Sequence, residues 1–450
     1  MAEEHHETVV IGAGVAGMSA AYRLRDHDVV VLEAEDRVGG RTLSGGDEHA
    51  WFNLGAQIVG SVKVADFCRE LGIELVSLKQ ADYGLVVNGK FSRGSSPEIL
   101  LTRLNLSLAE KADYGISALR LRRKLHAIPN LDAAQREQLD RQSLLEVIGR
   151  VAPSTMQLHD ACSVNSAGFP LDSISAVMGL VYALGAYLDP KTKQDIYSVR
   201  GGTQQITRTV AGQLGDNALR LGCQVRSLED VDGVVHVAYT TPSGEPAEIS
   251  ADHCISAMPA HAVLRTVKGL SAAKHRALRR LTPYSTLISV AWPVADHRPA
   301  PWDGVFFIPV TGSERIGLVT NYGFAAKQLN PELGGYLNSF AAGPVAATFD
   351  ETGDEELLDA HYDELLSIFP GAGAVLKREG AALNRWTHIG LPGMRPGYLT
   401  DRHVIREPLG RISFCGDYTS EPGLNGAYGS GTHAANNVLR QLEERQPALT

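Results

Sequence analysis

Residues 8–17, Thr-Val-Val-Ile-Gly-Ala-Gly-Val-Ala-Gly, carry the strongest structural signal in this chain of 450 residues. The apolar residues 9–11 predict a strand, and Gly12, Gly14 and Gly17 have the spacing of a dinucleotide-binding turn that leads into a helix. In such a turn the first glycine permits a sharp bend, the second lets backbone approach a diphosphate, and the third lets helix and strand pack closely. The helix N terminus directs free N–H groups at the phosphates.

A second apolar run and an acidic residue complete this pattern. Residues 29–32 predict a neighbouring strand, and Glu33 follows it, 21 residues after Gly12. A carboxylate at this spacing is expected to bind a ribose hydroxyl, and it would repel a 2′-phosphate, which disfavours NADP. The alternative is a glycine-rich turn without a ligand, but strand, turn, helix and acid together favour a bound dinucleotide.

The composition is that of a soluble globular protein, with 44% hydrophobic and 21% charged residues. A chain of 450 residues predicts two domains. The net charge of −9 gives no reason to expect nucleic acid or an anionic membrane surface as a partner. The expected partner is a small-molecule substrate bound beside the dinucleotide, and a homodimer is the default for a soluble protein of this size.

The N-terminal residues and the cysteines indicate in which cell compartment the protein is expected. The sequence begins with acidic and polar residues, without the apolar core of a signal peptide, and His5 and His6 are expected to lie in a disordered tail. No run approaches the roughly 18 apolar residues of a transmembrane segment. Five scattered cysteines without metal-ligand spacing indicate a reducing, cytoplasmic setting and no metal site.

The predicted elements alternate between nucleotide-binding and inserted segments. Amphipathic stretches at 107–126, 132–150, 154–164 and 173–186 predict a helical insertion, and a glycine-rich loop up to Gly431 precedes a closing helix over 431–444. The expected fold class is α/β. A discontinuous Rossmann-like domain binds the dinucleotide (residues 1–84, 199–270 and 390–450), and a mixed α+β substrate-binding domain carries the helical insertion (residues 85–198 and 271–389).

Further short motifs follow the first glycine turn in a specific order. They are Leu32-Glu33-Ala34, Arg37-Val38-Gly39-Gly40-Arg41, Leu54-Gly55-Ala56-Gln57, Gly201-Gly202, Ile255-Ser256-Ala257-Met258-Pro259, Phe414-Cys415-Gly416-Asp417 and Gly423-Leu424-Asn425-Gly426-Ala427. Together they resemble the flavin-containing amine oxidase superfamily, which includes polyamine and L-amino-acid oxidases, protoporphyrinogen oxidase and carotenoid desaturases. The resemblance spans essentially the whole chain.

The resemblance implies that the cofactor is FAD. It implies non-covalent attachment, because the loop at 391–398 lacks the cysteine that members with covalent flavin carry there. Glu33 would hold the adenosine ribose, Arg41 the pyrophosphate, Val225 the adenine, and Asp417 the ribitol or pyrophosphate. The cofactor-binding residues implied in this way are Gly12, Gly14, Val15, Ala16, Glu33, Ala34, Gly39, Gly40, Arg41, Gly55, Ala56, Gln57, Ile58, Val225, Ala257, Gly416, Asp417, Gly423, Leu424 and Ala427.

Four residues are candidates for the catalytic region. The resemblance places Trp386 and Gln57 beside the flavin, and Tyr182 and Arg395 are plausible residues of the substrate pocket. His388 and His433 could act as bases, although structural roles are favoured for both.

Two departures from the family pattern affect the functional interpretation. Ser289 stands where many amine oxidases have a lysine near the flavin, and Gly423 or Leu424 stands where one of two paired aromatic residues is expected. Both departures weaken the interpretation as a simple amine oxidase.

The motifs and the two departures from the family pattern favour three possible functions to different degrees. The favoured one is hydride removal from the C–N bond of a small-molecule amine or amide, including one of secondary metabolism, to give an imine with O2 as acceptor. The alternative is a desaturase or C–C dehydrogenase of a hydrophobic metabolite. A non-catalytic carrier is disfavoured by the complete set of nucleotide contacts.

Overall fold

The computed structural model describes residues 4–189, 196–282 and 284–445. Its strands, in chain order, are β1 (His5–Ile11), β2 (Val29–Leu32), β3 (Ser44–Gly46), β4 (Trp51–Asn53), β5 (Leu75–Ser77), β6 (Tyr83–Val87), β7 (Lys90–Gly94), β8 (Tyr197–Val199), β9 (Leu219–Arg220), β10 (Gln224–Val231), β11 (Val234–Thr240), β12 (Pro246–Ser256), β13 (Leu287–Pro293), β14 (Phe307–Pro309), β15 (Leu318–Asn321), β16 (Tyr336–Ala342), β17 (Ala382–Trp386) and β18 (Ile412–Phe414).

The helices connect these strands or form the insertion. They are α1 (Val15–Arg23), α2 (Val62–Glu70), α3 (Pro97–Arg103), α4 (Leu108–Ala127), α5 (Ala133–Asp140), α6 (Leu144–Ile148), α7 (Pro153–Ala167), α8 (Ala176–Met178), α9 (Gly185–Leu188), α10 (Gln205–Ala211), α11 (Ala260–Thr266), α12 (Ala272–Leu281), α13 (Gly323–Leu329), α14 (Gly343–Ala347), α15 (Asp354–Ile368), α16 (Tyr398–Arg406) and α17 (Leu424–Arg445). A π-helical turn, Gly179–Ala183, lies between α8 and α9.

The central sheet confirms the predicted α/β architecture. Its strand order is β10-β11-β12-β1-β2-β9, and β18 also pairs with β12. β1 runs parallel to β2 and β12, and every residue of β2 is buried, as expected for a strand covered on both faces. The long β12 pairs antiparallel with β11 at its start and parallel with β18 at its end, so it joins an antiparallel meander to the parallel layer.

The closing helix α17 begins earlier than predicted, and two of its glycines lie where other backbone atoms approach closely. The expected glycine-rich loop up to Gly431 is wrong, because α17 already begins at Leu424. A Cβ at Gly431 would lie 2.0 Å from the backbone oxygen of Ala16, and one at Gly426 would lie 1.6 Å from that of Glu421. At these two positions a side chain would collide with backbone atoms, so close packing requires glycine there despite its low helix propensity.

A second, antiparallel sheet has the strand order β14-β15-β16-β13-β17. One face packs into a hydrophobic core through Ile288, Val290 and Trp292. Directly paired residues of neighbouring strands share a face, so the register Trp386–Leu287 and Phe340–Leu318 assigns these four side chains to the opposite face. That face borders the cavity described below.

The helical insertion is observed with different internal boundaries. α4 begins at a capping box in which Ser107 and Glu110 satisfy each other's backbone N–H groups. The stretch predicted over 132–150 is divided into α5 and α6, because Ser143 forms a new capping box at the start of α6. The stretch predicted over 173–186 becomes α8, the π-helical turn and α9.

The prediction that His5 and His6 lie in a disordered tail is wrong. Both residues belong to β1, where His5 Nδ1 lies 3.0 Å from Ser250 Oγ and His6 Nδ1 lies 2.8 Å from Asp28 Oδ1. His5 and His6 pair with Ser250 and Ala251 of β12, and this pairing extends the strand further towards the N terminus than its apolar core indicates. Among the described residues, no helix is both long enough and apolar enough to cross a bilayer.

Candidate active site

The glycine turn between β1 and α1 leaves the N terminus of α1 open. Gly12 has a φ of +102°, a conformation that L-residues rarely adopt. No side chain caps α1 at Gly14, so the amides of its first turn lack intrahelical partners. A Cβ at Gly14 would meet no atom within 4 Å, because this residue borders a cavity. The turn therefore offers backbone donors and free space to an anionic group.

Gly39 and Gly40 bring a second backbone segment against this turn. Gly39 N donates to the backbone oxygen of Ala13 at 2.9 Å, and a Cβ at Gly40 would lie 3.4 Å from the Cα of Gly14. Both residues have positive φ angles, of +119° and +51°. The two glycine segments thus form adjoining parts of one cavity wall.

Glu33 is fixed at the end of β2 beside the same cavity. Its Oε2 accepts from Ala13 N at 2.6 Å, and its Oε1 accepts from Glu35 N at 2.9 Å. Burial raises the pKa of Glu33, and these backbone donors oppose the rise. A carboxylate can accept about four hydrogen bonds, so the two observed bonds leave capacity for a ligand hydroxyl.

A bidentate ion pair joins two segments that are far apart in the sequence. Arg41 Nη1 and Nη2 donate to Asp417 Oδ2 and Oδ1 at 2.9 and 2.8 Å, and Nη1 also donates to the backbone oxygen of Gly390 at 2.6 Å. Burial lowers the pKa of Arg41, but the Asp417 carboxylate outweighs this effect and the pKa is raised. Three of the five guanidinium N–H groups are used, and the exposed third of the Arg41 side chain borders the cavity.

All the residues proposed to bind the cofactor line one cavity of about 1150 Å³. They are Gly12, Gly14, Val15, Ala16, Glu33, Ala34, Gly39, Gly40, Arg41, Gly55, Ala56, Gln57, Ile58, Val225, Ala257, Gly416, Asp417, Gly423, Leu424 and Ala427. Sites for one small ligand commonly reach about 1000 Å³. This cavity is larger, and it offers space for a dinucleotide and a second molecule.

Trp386 and Tyr182 line the same cavity from two different elements. Trp386 lies at the end of β17, and its Nε1 donates to the backbone oxygen of Leu54 at 2.6 Å. Tyr182 lies in the π-helical turn, a feature that is frequent at functional sites. A Cβ at Gly423 would lie 3.1 Å from Tyr182 Oη. The glycine therefore makes room for an aromatic side chain from the helical insertion.

Gln57 borders the cavity, but hydrogen bonds within the protein occupy its amide. Its Nε2 donates to the backbone oxygens of Asn53 and Gly55 at 3.2 and 2.9 Å, and its Oε1 accepts from Tyr322 Oη at 2.6 Å. Both amide hydrogens have partners, so Gln57 has no free donor for a substrate. Its side chain instead stabilises the part of the cavity wall that Gln57 itself forms, through hydrogen bonds to Asn53, Gly55 and Tyr322.

The structure does not bring Arg395, a candidate for the substrate pocket, into the cavity lining. Its side chain is exposed and lies outside the cavity lining, whereas the neighbouring Met394 is fully buried. The loop turns between these residues, so adjacent side chains point to opposite sides. His388 and His433 are also exposed and lie outside the cavity lining, and neither is placed to act as a base there.

Ser289 lies in a buried, uncharged cluster and not in the cavity lining. Asn338 Nδ2 lies 3.4 Å from Ser289 Oγ and donates to the backbone oxygen of Asn53 at 2.7 Å. Thr320 Oγ1, Asn338 Oδ1 and Asn384 Nδ2, on the same face of the sheet, have no hydrogen-bond partner. Ser289, at the position where many amine oxidases have a lysine, therefore lies among neutral hydroxyl and amide groups.

Sequence reasoning missed a large apolar part of the cavity, which we call the outer arm. Side chains from β6, α3, α4 and α7 face it opposite the second sheet. The side chains that define the outer arm are Leu85, Leu100, Leu101, Leu104, Tyr114, Leu158, Phe307, Leu318 and Phe340. β15 and β16 are buried on both faces and show no regular alternation of apolar and polar residues, so the sequence does not single out the cavity positions of the sheet. Nothing distinguishes the helical leucines from ordinary core residues either.

The residues of the site fit a dinucleotide. The two glycine segments, the open N terminus of α1 and the partly satisfied Glu33 carboxylate provide backbone donors and an acceptor around the cavity. A side chain at Gly14 would project into this space. In the described parts of the chain, no group of three or more His, Cys, Asp or Glu side chains could hold a metal ion.

Comparisons with known proteins agree with this geometry. A Mycobacterium tuberculosis protein named as a flavin-containing monoamine oxidase is 30% identical over 275 residues, which cover 57% of this chain and 58% of that protein. An L-amino-acid oxidase from Bungarus fasciatus is 26% identical over 284 residues, which cover 57% of this chain and 51% of that protein. The matched part thus spans little more than half of these relatives.

A structural comparison extends the likeness over nearly the whole chain. Cyclohexylamine oxidase from Brevibacterium oxydans has a TM-score of 0.79 at 19% identity and covers 97% of this chain and 99% of its own. At this identity the likeness shows the fold alone. The family model of flavin-containing amine oxidoreductases matches residues 15–439. The chain therefore belongs to this family, and its cofactor is FAD.

Proposed function

We propose that this protein oxidises an amine at the carbon beside the nitrogen and produces an imine. The C–H bond is lost as a hydride and the nitrogen loses a proton, so a C=N bond forms. When bound, FAD supplies the acceptor for the hydride. With O2 as the final acceptor, one imine and one hydrogen peroxide form for each amine and O2 consumed.

The observation that carries this proposal is the continuity of the cavity. One space joins the glycine segments, Glu33 and the Arg41–Asp417 pair to a part bordered by Trp386 and Tyr182. A substrate between these two aromatic residues would lie beside the cofactor end, shielded from bulk water. Hydride transfer needs reacting atoms about 3–3.5 Å apart in such a site.

The chain's own residues would orient the two ligands. The Trp386 ring is held by the Leu54 carbonyl, and the Tyr182 hydroxyl lies near Gly423. Burial raises the pKa of Tyr182, so its hydroxyl stays neutral and can donate or accept a hydrogen bond. Neither residue needs to exchange a proton during hydride transfer.

We propose that FAD is held without a covalent bond. The cavity is bordered by Cys162 and Cys223, but Cys162 belongs to α7 and Cys223 directly precedes β10, whose Val225 is the proposed adenine contact. The loop at 391–398, where members of the family with covalent flavin carry a cysteine, contains none in this chain. Acid or heat should therefore release the flavin from the purified protein.

Anaerobic titration with a panel of amines tests the proposed reaction. Amine oxidation predicts loss of the visible flavin absorbance without O2, followed by peroxide when air is admitted. The flavin-depleted protein serves as the control for background oxidation. Bleaching by an apolar metabolite without a C–N bond, and by no amine, would instead support the alternative of a C–C dehydrogenase. The apolar outer arm and the uncharged surroundings of Ser289 are compatible with that alternative.

A further inference from the structure

The floor of the outer arm crosses the second sheet. Trp386 on β17 pairs with Leu287 on β13, and Phe340 on β16 pairs with Leu318 on β15, while Phe307 lies on the edge strand β14. All five side chains border the cavity and share one face of the sheet. With strands about 4.8 Å apart, this floor extends about 19 Å from β17 to β14. It is long enough for an extended hydrocarbon chain.

The roof over the far end is equally apolar. Leu85, Leu104 and Leu158 form one buried cluster with Leu101 and Tyr114 packed against it. The bridge between Val86 and Val310 ties the strand that carries Leu85 to the segment after β14. The roof therefore lies over the β14 end of the floor, away from Trp386.

Charged side chains occur only at the rim of the outer arm, among the residues that the structure describes. Glu98 is exposed, Asp82 lies beside the exposed loop at Gly304, and Arg122 pairs with Asp189 at 3.5 Å. Leu119 marks the opening, because it borders the cavity and is 57% exposed. The space between this rim and Trp386 thus has an uncharged lining.

We infer that the outer arm holds the hydrocarbon part of the substrate, and that the substrate is a long or bulky monoamine without a charged tail. This inference rests on the proposed function, which sets the reacting amine at the Trp386 end. A second ammonium or a carboxylate in the arm would lose its hydration without gaining a partner, which is costly. Methylene groups or an aromatic ring would be stabilised there by burial.

Three compounds with the same reacting end test this inference on the FAD-loaded enzyme. Octan-1-amine, 1,8-diaminooctane and 8-aminooctanoate share an eight-carbon chain and differ only in the tail group. We expect kcat/KM to be at least tenfold higher for octan-1-amine than for either of the others. An equal or higher kcat/KM for 1,8-diaminooctane would overturn the inference.

A charge introduced into the arm should reverse this order. Leu101 is partly buried and borders the far end of the arm, so Leu101→Asp places a carboxylate within reach of the tail of a twelve-carbon amine, which is long enough to extend from Trp386 to the roof. We expect the ratio of kcat/KM for 1,12-diaminododecane to that for dodecan-1-amine to rise at least tenfold over the ratio of the parent enzyme. Leu108→Asp is the matched control, because Leu108 is 85% exposed and lies outside the cavity lining. An unchanged ratio in a folded Leu101→Asp enzyme would contradict the inference.

Binding separates failure of this inference from failure of the proposed reaction. If neither these three compounds nor the amine panel bleaches the flavin, the proposed function is wrong, and the arm is tested by the rise in melting temperature on adding each of the three compounds. A larger rise with octan-1-amine than with 1,8-diaminooctane supports the uncharged arm. Equal rises, or a larger one with the diamine, would overturn it.

Discussion

The two ends of the cavity differ in how they are encoded. At the cofactor end, the wall is largely backbone, with Gly14, Gly39 and Gly40 bordering the space and Glu33 held by two backbone donors. In the outer arm, the wall consists of apolar side chains from separate helices and strands. A ligand recognised through backbone requires glycines at specific positions, which a sequence displays. A hydrocarbon requires only volume and low polarity, which many sequences provide.

The largest expected effect concerns Gly14. A Cβ there meets no protein atom within 4 Å, so Gly14→Val should fold normally while its side chain occupies the space for the diphosphate. Losing two or more charge-assisted hydrogen bonds should weaken FAD binding by at least about 3 kcal/mol, or more than about 100-fold. The measurement is FAD affinity of the apoprotein by fluorescence titration.

A matched substitution checks this interpretation. Gly215 is an exposed residue whose Cβ would also meet nothing within 4 Å, so Gly215→Val should bind FAD as the parent protein does. Retention of FAD by the Gly14→Val protein would show that the diphosphate does not lie at this turn.

The ion pair that closes the cofactor end should be the next most sensitive feature. Asp417 is 1% exposed, and Asp417→Ala leaves Arg41 without its bidentate partner. Breaking a buried pair costs about 3–5 kcal/mol, and we expect the lower end because part of Arg41 faces the cavity. Urea denaturation of the apoproteins measures this loss.

An exposed ion pair provides the control for Asp417→Ala. Arg385 Nε lies 2.9 Å from Asp354 Oδ1, and the Asp354 side chain is 71% exposed. Asp354→Ala should therefore cost less than about 1 kcal/mol. Equal losses for the two variants would mean that the Arg41–Asp417 pair contributes no more than a surface pair.

Glu33→Gln should have opposite effects on FAD binding and on apoprotein stability. Loss of a charge-assisted hydrogen bond should weaken FAD binding by about 1–3 kcal/mol. Burial raises the pKa of Glu33, so the folded apoprotein binds its proton more tightly than the unfolded chain does. Wild-type apoprotein should therefore lose stability relative to the variant as the pH rises from about 4 through the folded pKa.

Denaturation midpoints of both apoproteins between about pH 4 and pH 8 measure this second effect. The two curves should converge at the acid end, where Glu33 is protonated in both the folded and the unfolded wild-type chain. The variant should be the more stable protein at neutral pH. A wild-type apoprotein that gains stability over the variant with rising pH would contradict the assigned cause.

The smallest effect is expected at Arg395. Its side chain is exposed and lies outside the cavity lining, so Arg395→Ala should change neither FAD retention nor kcat/KM, and should change stability by less than about 0.5 kcal/mol. Steady-state kinetics and thermal denaturation measure these quantities. A clear rise in KM would place the substrate against the loop that we assign to the surface.

The sequence by itself determined the features that depend on local backbone conformation. Gly12 must adopt a positive φ, Gly14 must border open space, and Glu33 must follow a buried strand, so spacing alone indicated a dinucleotide and the α/β fold. The motifs were informative because each constrains only a few consecutive residues.

Only the tertiary structure decided which distant residues meet. In the fold, Arg41 pairs with Asp417 and Tyr182 lies against Gly423. The side-chain amide of Gln57 is hydrogen-bonded within the protein, and Arg395 is exposed at the surface. The tertiary structure also continues α17 through glycines whose sequence resembles a loop, and one of them, Gly431, packs closely against α1. Such contacts depend on the packing of elements far apart in the chain, and side-chain direction there follows from burial that no local pattern records.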